Sequence, residues 1–209
     1  MKLYQFSLSP NCQKVIALGR EVGAPLELVS VDVFKGESRT PAMLVKNPNG
    51  KVPILEDGDY VLWESTAMLS YIATKAGRTD LAPTTLRERA EVDRWMAWHG
   101  AHFGPAVRKV AFERIVKKLA GLGAPDEALV HAGIAEFATT AKVLDESLGD
   151  KSYLCGHISI ADFNLLPYAA VTASCGLDFD PYPRAKAWLG RMTARESVKQ
   201  TLAVAREAA

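Results

Sequence analysis

Residues 47–68 constrain the fold more than any other part of this 209-residue sequence. They begin with a turn signal, Asn-Pro-Asn-Gly at 47–50, because Asn and Gly tolerate positive φ and proline sets its own φ. A short strand, a hairpin turn and a returning strand are predicted over residues 52–62. A helix is predicted after them, with Ser65 as its N-cap, because the apolar side chains that follow recur at helical spacing.

Pro53 lies inside the first of these predicted strands. A proline removes a ladder donor, so we expect this segment where the donor is not needed. The backbone of Val52 can then pair with an extended ligand. Farther along, Glu64 and Ser65 bring an acceptor, a hydroxyl and the amides of a helix start together, which is a good site for a carboxylate. The two features indicate a small peptide ligand; the alternative is a strand-edge proline followed by an ordinary N-cap.

The pattern N-P-x-G-K-V-P-x-L, a hairpin and then E-S-x-A-x-x-x-Y-I resembles the glutathione-binding half of the cytosolic glutathione S-transferases. In that family the proline is cis, the residue before it pairs with the cysteinyl backbone of glutathione, and the Glu-Ser pair holds the γ-glutamyl group. The resemblance implies these roles for Val52, Pro53, Glu64 and Ser65. It extends over nearly the whole chain.

Residues 1–78 are predicted to form a thioredoxin-like domain. A strand at 2–6, a helix at 15–22 and a strand at 26–33 make a βαβ unit, so the two strands should be parallel, with the second one central in the sheet. An irregular helix, the hairpin and the helix after it complete the order β-α-β-α-β-β-α.

The rest of the chain is predicted to be all-helical. After a linker at 79–85 no strand pattern appears, and residues 86–209 are assigned to one helical domain with a kink at Gly104-Pro105. Ser-Ile-Ala-Asp at 159–162 is an N-cap signature with a folding role. The predicted fold class is therefore α/β plus all-α, a thioredoxin-like N-terminal domain followed by an all-helical C-terminal domain.

Composition argues against several partners. The formal net charge is only +1, so nothing indicates nucleic acid or an anionic membrane. No apolar run approaches the roughly 20 residues that a membrane span needs, and the first residues lack a signal core. The 3 cysteines have no metal-type spacing and suit a reducing compartment. We expect a cytoplasmic protein.

Chemistry on glutathione requires its thiolate. A thiol with a pKa of about 8.5 is only about 3% ionised at pH 7, and lowering that pKa by about 2 units takes roughly 2.7 kcal/mol. One hydroxyl that donates to an anion contributes about 1.5–3 kcal/mol, so a single serine with helix-start amides would suffice. We expect this donor just after the first strand.

Ser9 is the first candidate for this donor. Its Ser-x-x-Cys-x-x-Val pattern resembles the theta- and phi-like serine enzymes, which implies that Ser9 stabilises the thiolate. Asn11 is the second candidate, because a bacterial branch of the family uses a Thr/Ser-Pro-Asn loop whose asparagine contacts the sulfur. Helix capping is the alternative for both residues. Cys12 at a helix start could form a mixed disulfide, but no second cysteine completes a C-x-x-C, and we expect it to pack under the loop.

Arg39 and Lys51 are candidates for the glycine carboxylate of glutathione. The family often carries a basic residue at or near these positions, although Ser38 replaces the histidine of the phi-like pattern. A solvated surface charge is the alternative for either residue.

His99, His102 and Phe103 are expected to line or border the pocket of the second substrate, or simply to pack. The His-x-x-His spacing is a weak metal signal, because no third ligand lies nearby in the sequence.

These residues and the resemblance together predict a serine-type, bacterial, homodimeric glutathione S-transferase with a detoxifying role. Glutathione is its co-substrate, an apolar electrophile is its second substrate, and no metal or nucleotide is implied. The competing hypotheses are a glutathione-dependent disulfide reductase or peroxidase, in which Asn11 or Cys12 would matter more than Ser9, and a non-catalytic glutathione-binding scaffold.

Overall fold

The computed structural model describes residues 1–207, with side chains described as far as residue 205. Contacts divide the chain into two compact units. One contains Met1–Pro83 together with the segment that starts at Arg195, and the other is Thr84–Ala194. The sequence assigned everything after residue 86 to one helical domain. The observed division differs, because the last helix packs on the first helix of the chain.

The first unit contains four strands and three helices before the linker. They are β1 (Lys2–Gln5), α1 (Pro10–Glu21), β2 (Glu27–Ser30), α2 (Pro41–Lys46), β3 (Ile54–Asp57), β4 (Tyr60–Leu62) and α3 (Ser65–Lys75). A 3-10 turn at Glu37–Arg39 precedes α2. This is the predicted β-α-β-α-β-β-α order of a thioredoxin-like domain.

The sheet has the strand order β2-β1-β3-β4. β1 pairs with β2 in parallel and with β3 antiparallel, so that Leu3 lies between Leu28 and Leu55. The parallel pairing of the βαβ unit is confirmed, but the prediction of a central second strand is wrong. β2 has only four residues, three of them exposed, and Val31 and Val33, which made the pattern look central, follow its end.

The core of this unit lies between the sheet and two helices. α1 packs against α3 on one side and against the last helix of the chain on another. Leu3, Leu18, Ile54 and Leu69 are fully buried there. Burying one such side chain stabilises the fold by about 1.5–3 kcal/mol. Because α1 is covered on several sides, its residues from Cys12 to Gly19 are all buried, polar ones included.

The regular elements of the second unit are all helical. Its helices are α4 (Leu86–Trp98), α5 (Gly104–Ala111), α6 (Lys117–Ala120), α7 (Glu127–Leu148), α8 (Ile160–Val171) and α9 (Pro183–Thr193). Short π-helical segments at His99–Phe103 and Phe112–Val116 join α4, α5 and α6. Pro105 has no amide to donate, and the π-helical turn just before it accommodates the missing bond. The helix continues through the Gly104-Pro105 position where a kink was predicted.

Asp162 organises the middle of the second unit. Its carboxylate accepts from the backbone of Ser159 at 2.9 Å, from the backbone of Leu154 at 3.1 Å and from the Trp188 indole at 2.8 Å. These bonds confirm the predicted capping box and its structural role.

The last helix, α10 (Glu196–Glu207), belongs to the first unit. Ser197 donates to the Glu21 carboxylate at 2.5 Å, and Arg195 pairs with the same carboxylate. Within residues 1–207 no helix is both long enough and apolar enough to cross a membrane.

Candidate functional site

The Val52-Pro53 peptide bond is cis. The ladder between β3 and β1 ends with Ile54 opposite Tyr4, so Val52 and Pro53 lie just outside it. The predicted strand therefore begins two residues later than expected. The backbone of Val52 lies outside the sheet's own register, just before the start of β3, where an extended ligand can pair with it.

The turn before Val52 is held by side chains. Asn47 donates to the carbonyl of Lys51 at 2.7 Å, and the buried Ser38 hydroxyl donates to the carbonyl of Gly50 at 3.0 Å. Gly50 has a φ of 62°, and a Cβ built there would lie 3.1 Å from Cγ of Arg39. The exposed Arg39 side chain thus crosses this turn next to the exposed Lys51. Two cations are brought to one edge of the candidate site.

Glu64 has the backbone conformation φ 73° and ψ 101° and is the N-cap of α3. Among the described residues it is the one non-glycine position with positive φ. Such a conformation costs about 1–3 kcal/mol and tends to occur at binding sites. Because the turn into the helix happens at the exposed Glu64, Ser65 is the first helical residue and is buried. The prediction of Ser65 as the N-cap is therefore wrong by one residue.

Ser9 is the N-cap of α1, but its side chain does not cap the helix. Its carbonyl accepts from the amides of Cys12 and Gln13, both at 2.9 Å. The hydroxyl instead interacts with the Cys12 thiol, where it acts to lower the thiol pKa against the larger effect of burial. The alternative, in which the Ser9 hydroxyl caps α1, is therefore not observed.

Asn11 connects the starts of two helices. Its Oδ1 accepts from the Ser65 hydroxyl at 3.4 Å, across 54 positions of sequence. α1 and α3 pack together, and this contact brings the two predicted ends of the ligand site, at Ser9 and at Glu64, into one region of the first unit.

Cys12 is fully buried beneath the loop between β1 and α1. Burial raises the pKa of its thiol to about 11, although the Phe6 amide and the Ser9 hydroxyl act in the opposite direction. A thiol in this environment is a poor nucleophile at neutral pH, because the thiolate is the reactive species. Its position agrees with packing under the loop.

Lys14 is a member of this region that the sequence analysis missed. Its side chain is 2% exposed, and its ammonium donates to Oγ1 of Thr66 at 3.3 Å. Burial lowers its pKa from 10.5 to about 7, while the Glu64 carboxylate acts to raise it. A signal was present, since Lys14 shares a helical face with Ala17 and Leu18, three and four positions on.

The three candidates for the electrophile pocket do not form one group. Phe103 is fully buried and packs in the helical unit against Trp98, Phe137 and Phe179, with ring centroids 5.8, 6.2 and 6.5 Å away. His99 is buried with its ring 4.8 Å from that of Tyr168, while His102 is exposed. The assignment of His99 and Phe103 to a pocket is corrected, because both side chains fill the core.

Two family profiles match nearly the whole chain. Residues 3–80 match "Glutathione S-transferase, N-terminal domain", and residues 80–196 match "Glutathione S-transferase, C-terminal domain". The chain belongs to the glutathione S-transferase family. Its thioredoxin-like first unit and its helical second unit correspond to these two domains.

Relatives of this glutathione S-transferase come from plants and animals. The probable glutathione S-transferase GSTF2 of Oryza sativa subsp. japonica is 35% identical over 203 residues, which cover 94% of this chain and 93% of the relative. The human glutathione S-transferase theta-2B is 30% identical over 197 residues, covering 93% and 81%. The structure of glutathione S-transferase I from maize in complex with an atrazine glutathione conjugate superposes with a TM-score of 0.90 at 30% identity, covering 100% and 99%.

Proposed function

We propose that this glutathione S-transferase activates the glutathione thiol as a thiolate, with Ser9 as the hydroxyl donor, for attack on an apolar electrophile. The observation that carries this assignment is the position of Ser9 at the start of the 12-residue helix α1 without a capping bond from its side chain. A hydroxyl donor there acts together with the positive end of the helix dipole. Both favour an anion over a neutral thiol.

Two segments are proposed to hold the tripeptide. Val52, next to Pro53, pairs with the cysteinyl backbone, and the exposed Glu64 with the Ser65 hydroxyl binds the γ-glutamyl end. The starts of α1 and α3 meet at the contact between Asn11 and Ser65, so one ligand can reach the donor at Ser9 and the pair at Glu64.

Arg39 and Lys51 are proposed to neutralise the glycine carboxylate. Arg39 lies over Gly50, beside Lys51, and both side chains are exposed. Two solvated cations at the same edge attract a carboxylate and also speed its encounter with the site.

An apolar electrophile is proposed because the maize relative has a structure in complex with an atrazine glutathione conjugate. Of the three residues assigned to this pocket by sequence, only the exposed His102 remains a candidate. We also propose a homodimeric, cytoplasmic, detoxifying enzyme of the serine type. The similarity to rice GSTF2 supports a phi-like subclass, while a theta-like subclass and a bacterial origin stay predictions.

The test is the ultraviolet absorbance of the glutathione thiolate on the enzyme, measured against pH in the wild type and in Ser9→Ala. We expect a lowered thiol pKa in the wild type and a return toward the free value in the variant. Ser7→Ala, which removes a neighbouring hydroxyl, serves as the matched control and should keep the lowered pKa. Bound glutathione with an unshifted pKa in the wild type would rule out this mechanism.

Disulfide reduction through Cys12 is the second candidate function. The buried thiol with its raised pKa disfavours it, because exchange starts from a thiolate. Cys12→Ala is expected to keep conjugation activity. Loss of a glutathione-dependent reductase activity in that variant would favour the alternative, and a wild type that binds glutathione without any turnover would favour a scaffold.

A further inference from the structure

Lys14 is a charged side chain in a place where lysine is rarely found. It lies on α1 and is 2% exposed, whereas a lysine is almost never fully buried unless it is paired. Its ammonium reaches the start of α3, where Oγ1 of Thr66 accepts at 3.3 Å. The function proposed above assigns no role to this residue.

Three successive residues at the start of α3 are linked to α1. Thr66 accepts from Lys14, Ser65 donates to Asn11 at 3.4 Å, and the Glu64 carboxylate acts on the Lys14 ammonium through space. These three residues include the pair proposed to bind the γ-glutamyl group. α1 therefore interacts with all three residues, and the Lys14 ammonium is the positive charge in these interactions.

Of the charged groups known to act on Lys14, the Glu64 carboxylate has the largest effect. The other titratable group acting on Lys14, the Cys12 thiol, stays neutral near pH 7 because its pKa is about 11. The charges that α10 brings to α1 lie at the opposite end of α1, where Arg195 pairs with Glu21. On the elements nearby, Tyr4 of β1 donates to Glu56, and Tyr71 and Lys75 of α3 bind Asp57.

We propose that Lys14 is a positioning residue that holds residues 64–66 in the conformation that binds the γ-glutamyl group, and that it does so through its positive charge. This inference rests on the proposed function. The charge restrains an exposed carboxylate whose backbone has φ 73°. It also adds to the positive end of α3, which favours the carboxylate of the γ-glutamyl group.

This role makes ligand binding depend on pH near neutrality. Burial lowers the pKa of Lys14 to about 7, so the ammonium is present below that value and is lost as pH rises through it. The affinity for the γ-glutamyl group should therefore be highest below this value and should fall above it. By linkage, a bound ligand raises the pKa of Lys14.

The test uses S-methylglutathione, whose sulfur cannot ionise, so that Lys14 is separated from the thiol. Calorimetric binding is measured between about pH 6 and about pH 8.5, on either side of the Lys14 pKa. In the wild type the affinity is expected to fall about tenfold over this range. Lys14→Arg keeps the charge at every pH and should bind tightly with a flat profile. Lys14→Met should bind about tenfold more weakly at the acid end, also with a flat profile.

Two further variants separate the charge from other effects. Thr66→Val removes the hydroxyl acceptor but keeps the charge, so it should weaken binding less than Lys14→Met does and should retain the wild-type pH dependence. Lys142→Met removes a lysine whose side chain is 69% exposed, in the helical unit, and should bind like the wild type at each pH. Lys14→Met is expected to fold, because Glu64 is exposed and is not left as a buried unpaired charge.

Wild-type affinity in Lys14→Met at the acid end would overturn the inference, and so would a wild-type pH slope in Lys14→Arg. If Lys14→Met does not fold, the Lys14→Arg profile alone decides between these outcomes. A wild type that binds S-methylglutathione at no pH would contradict the proposed function itself, and the inference with it.

Discussion

The Ser65 hydroxyl lies 3.4 Å from Oδ1 of Asn11, although 54 positions separate the two residues. Asn11 is in the first turn of α1, after Ser9, and Ser65 is the first residue of α3, after Glu64. One side-chain contact thus joins the region proposed to hold the thiolate to the region proposed to hold the γ-glutamyl group. A substitution at either helix start should therefore change ligand binding at the other.

Asn11 and Ser65 are expected to be coupled in glutathione binding. Asn11→Ala and Ser65→Ala should each weaken binding, and the double variant should be less impaired than the sum predicts, by about 0.5–1.5 kcal/mol. The measurement is a double-mutant cycle of glutathione affinity by calorimetry. A cycle of Asn11→Ala with Lys142→Ala, in the other unit, serves as the control and should be additive. Strict additivity for Asn11 and Ser65 would mean that the 3.4 Å contact does not operate in solution.

Glu64→Gly is expected to separate stability from binding. Glycine adopts the φ of 73° without strain, so Glu64→Gly should be more stable than Glu64→Gln, which equally loses the carboxylate that acts on Lys14, by up to about 1 kcal/mol in the free energy of unfolding. Glutathione affinity should nevertheless fall at least about tenfold, since a charge-assisted contact is worth about 1.5–3 kcal/mol. Urea unfolding measures the free energy of unfolding, and calorimetry measures the glutathione affinity. Glu64→Gln keeps the strain and loses the charge, so it should lose affinity without gaining stability.

Gly50→Ala is expected to disturb Arg39. Alanine at this position needs a φ of 62°, and its Cβ would lie 3.1 Å from Cγ of Arg39. The backbone penalty is about 1–2 kcal/mol, and the displaced Arg39 should raise the KM for glutathione. Gly58→Ala is the matched control, because it has a φ of 65° with nothing within 4 Å of the new Cβ. It should lose similar stability at unchanged KM, and an equal KM rise in both variants would argue against a role for Arg39.

The attachment of α10 to α1 should weaken in acid. Burial acts to raise the pKa of Glu21, but bonds from Arg195 and Ser197 outweigh it and hold that pKa below its usual value. The stabilisation is thus present above the unfolded pKa of about 4.3 and is lost as pH falls through the lower folded value.

Glu21→Gln removes this pH-dependent part. We expect it to be less stable than the wild type by about 1–2 kcal/mol at neutral pH, with the difference shrinking below about pH 4. Urea unfolding of both proteins against pH measures this difference. Glu146→Gln, at an exposed helical position, provides the control and should show no such gap. If the difference in unfolding free energy between the two proteins stays constant below about pH 4, the Glu21 carboxylate is not the source of the pH dependence.

Local pattern was sufficient for most of the first unit. The turn at residues 47–50, the strands around Pro53 and the apolar spacing after Ser65 depend on neighbouring residues, so the order of elements could be predicted from the sequence. The central position of the second strand could not, because strand order depends on which edges meet in the folded sheet. Val31 and Val33 made the strand look longer and more buried than the four residues of β2.

The sequence by itself determined the family, the thioredoxin-like arrangement, the helical second unit and the capping box at Asp162, all of which follow from short-range spacing. Only the tertiary structure decided which polar side chains are covered. Lys14 is buried because α3 and α10 pack against α1, and Phe103 is buried because the rings of Trp98, Phe137 and Phe179 gather around it in the helical unit. Burial depends on segments distant in sequence, so the helical face that Lys14 shares with Ala17 and Leu18 could indicate that it is covered, but not that its ammonium meets the start of α3.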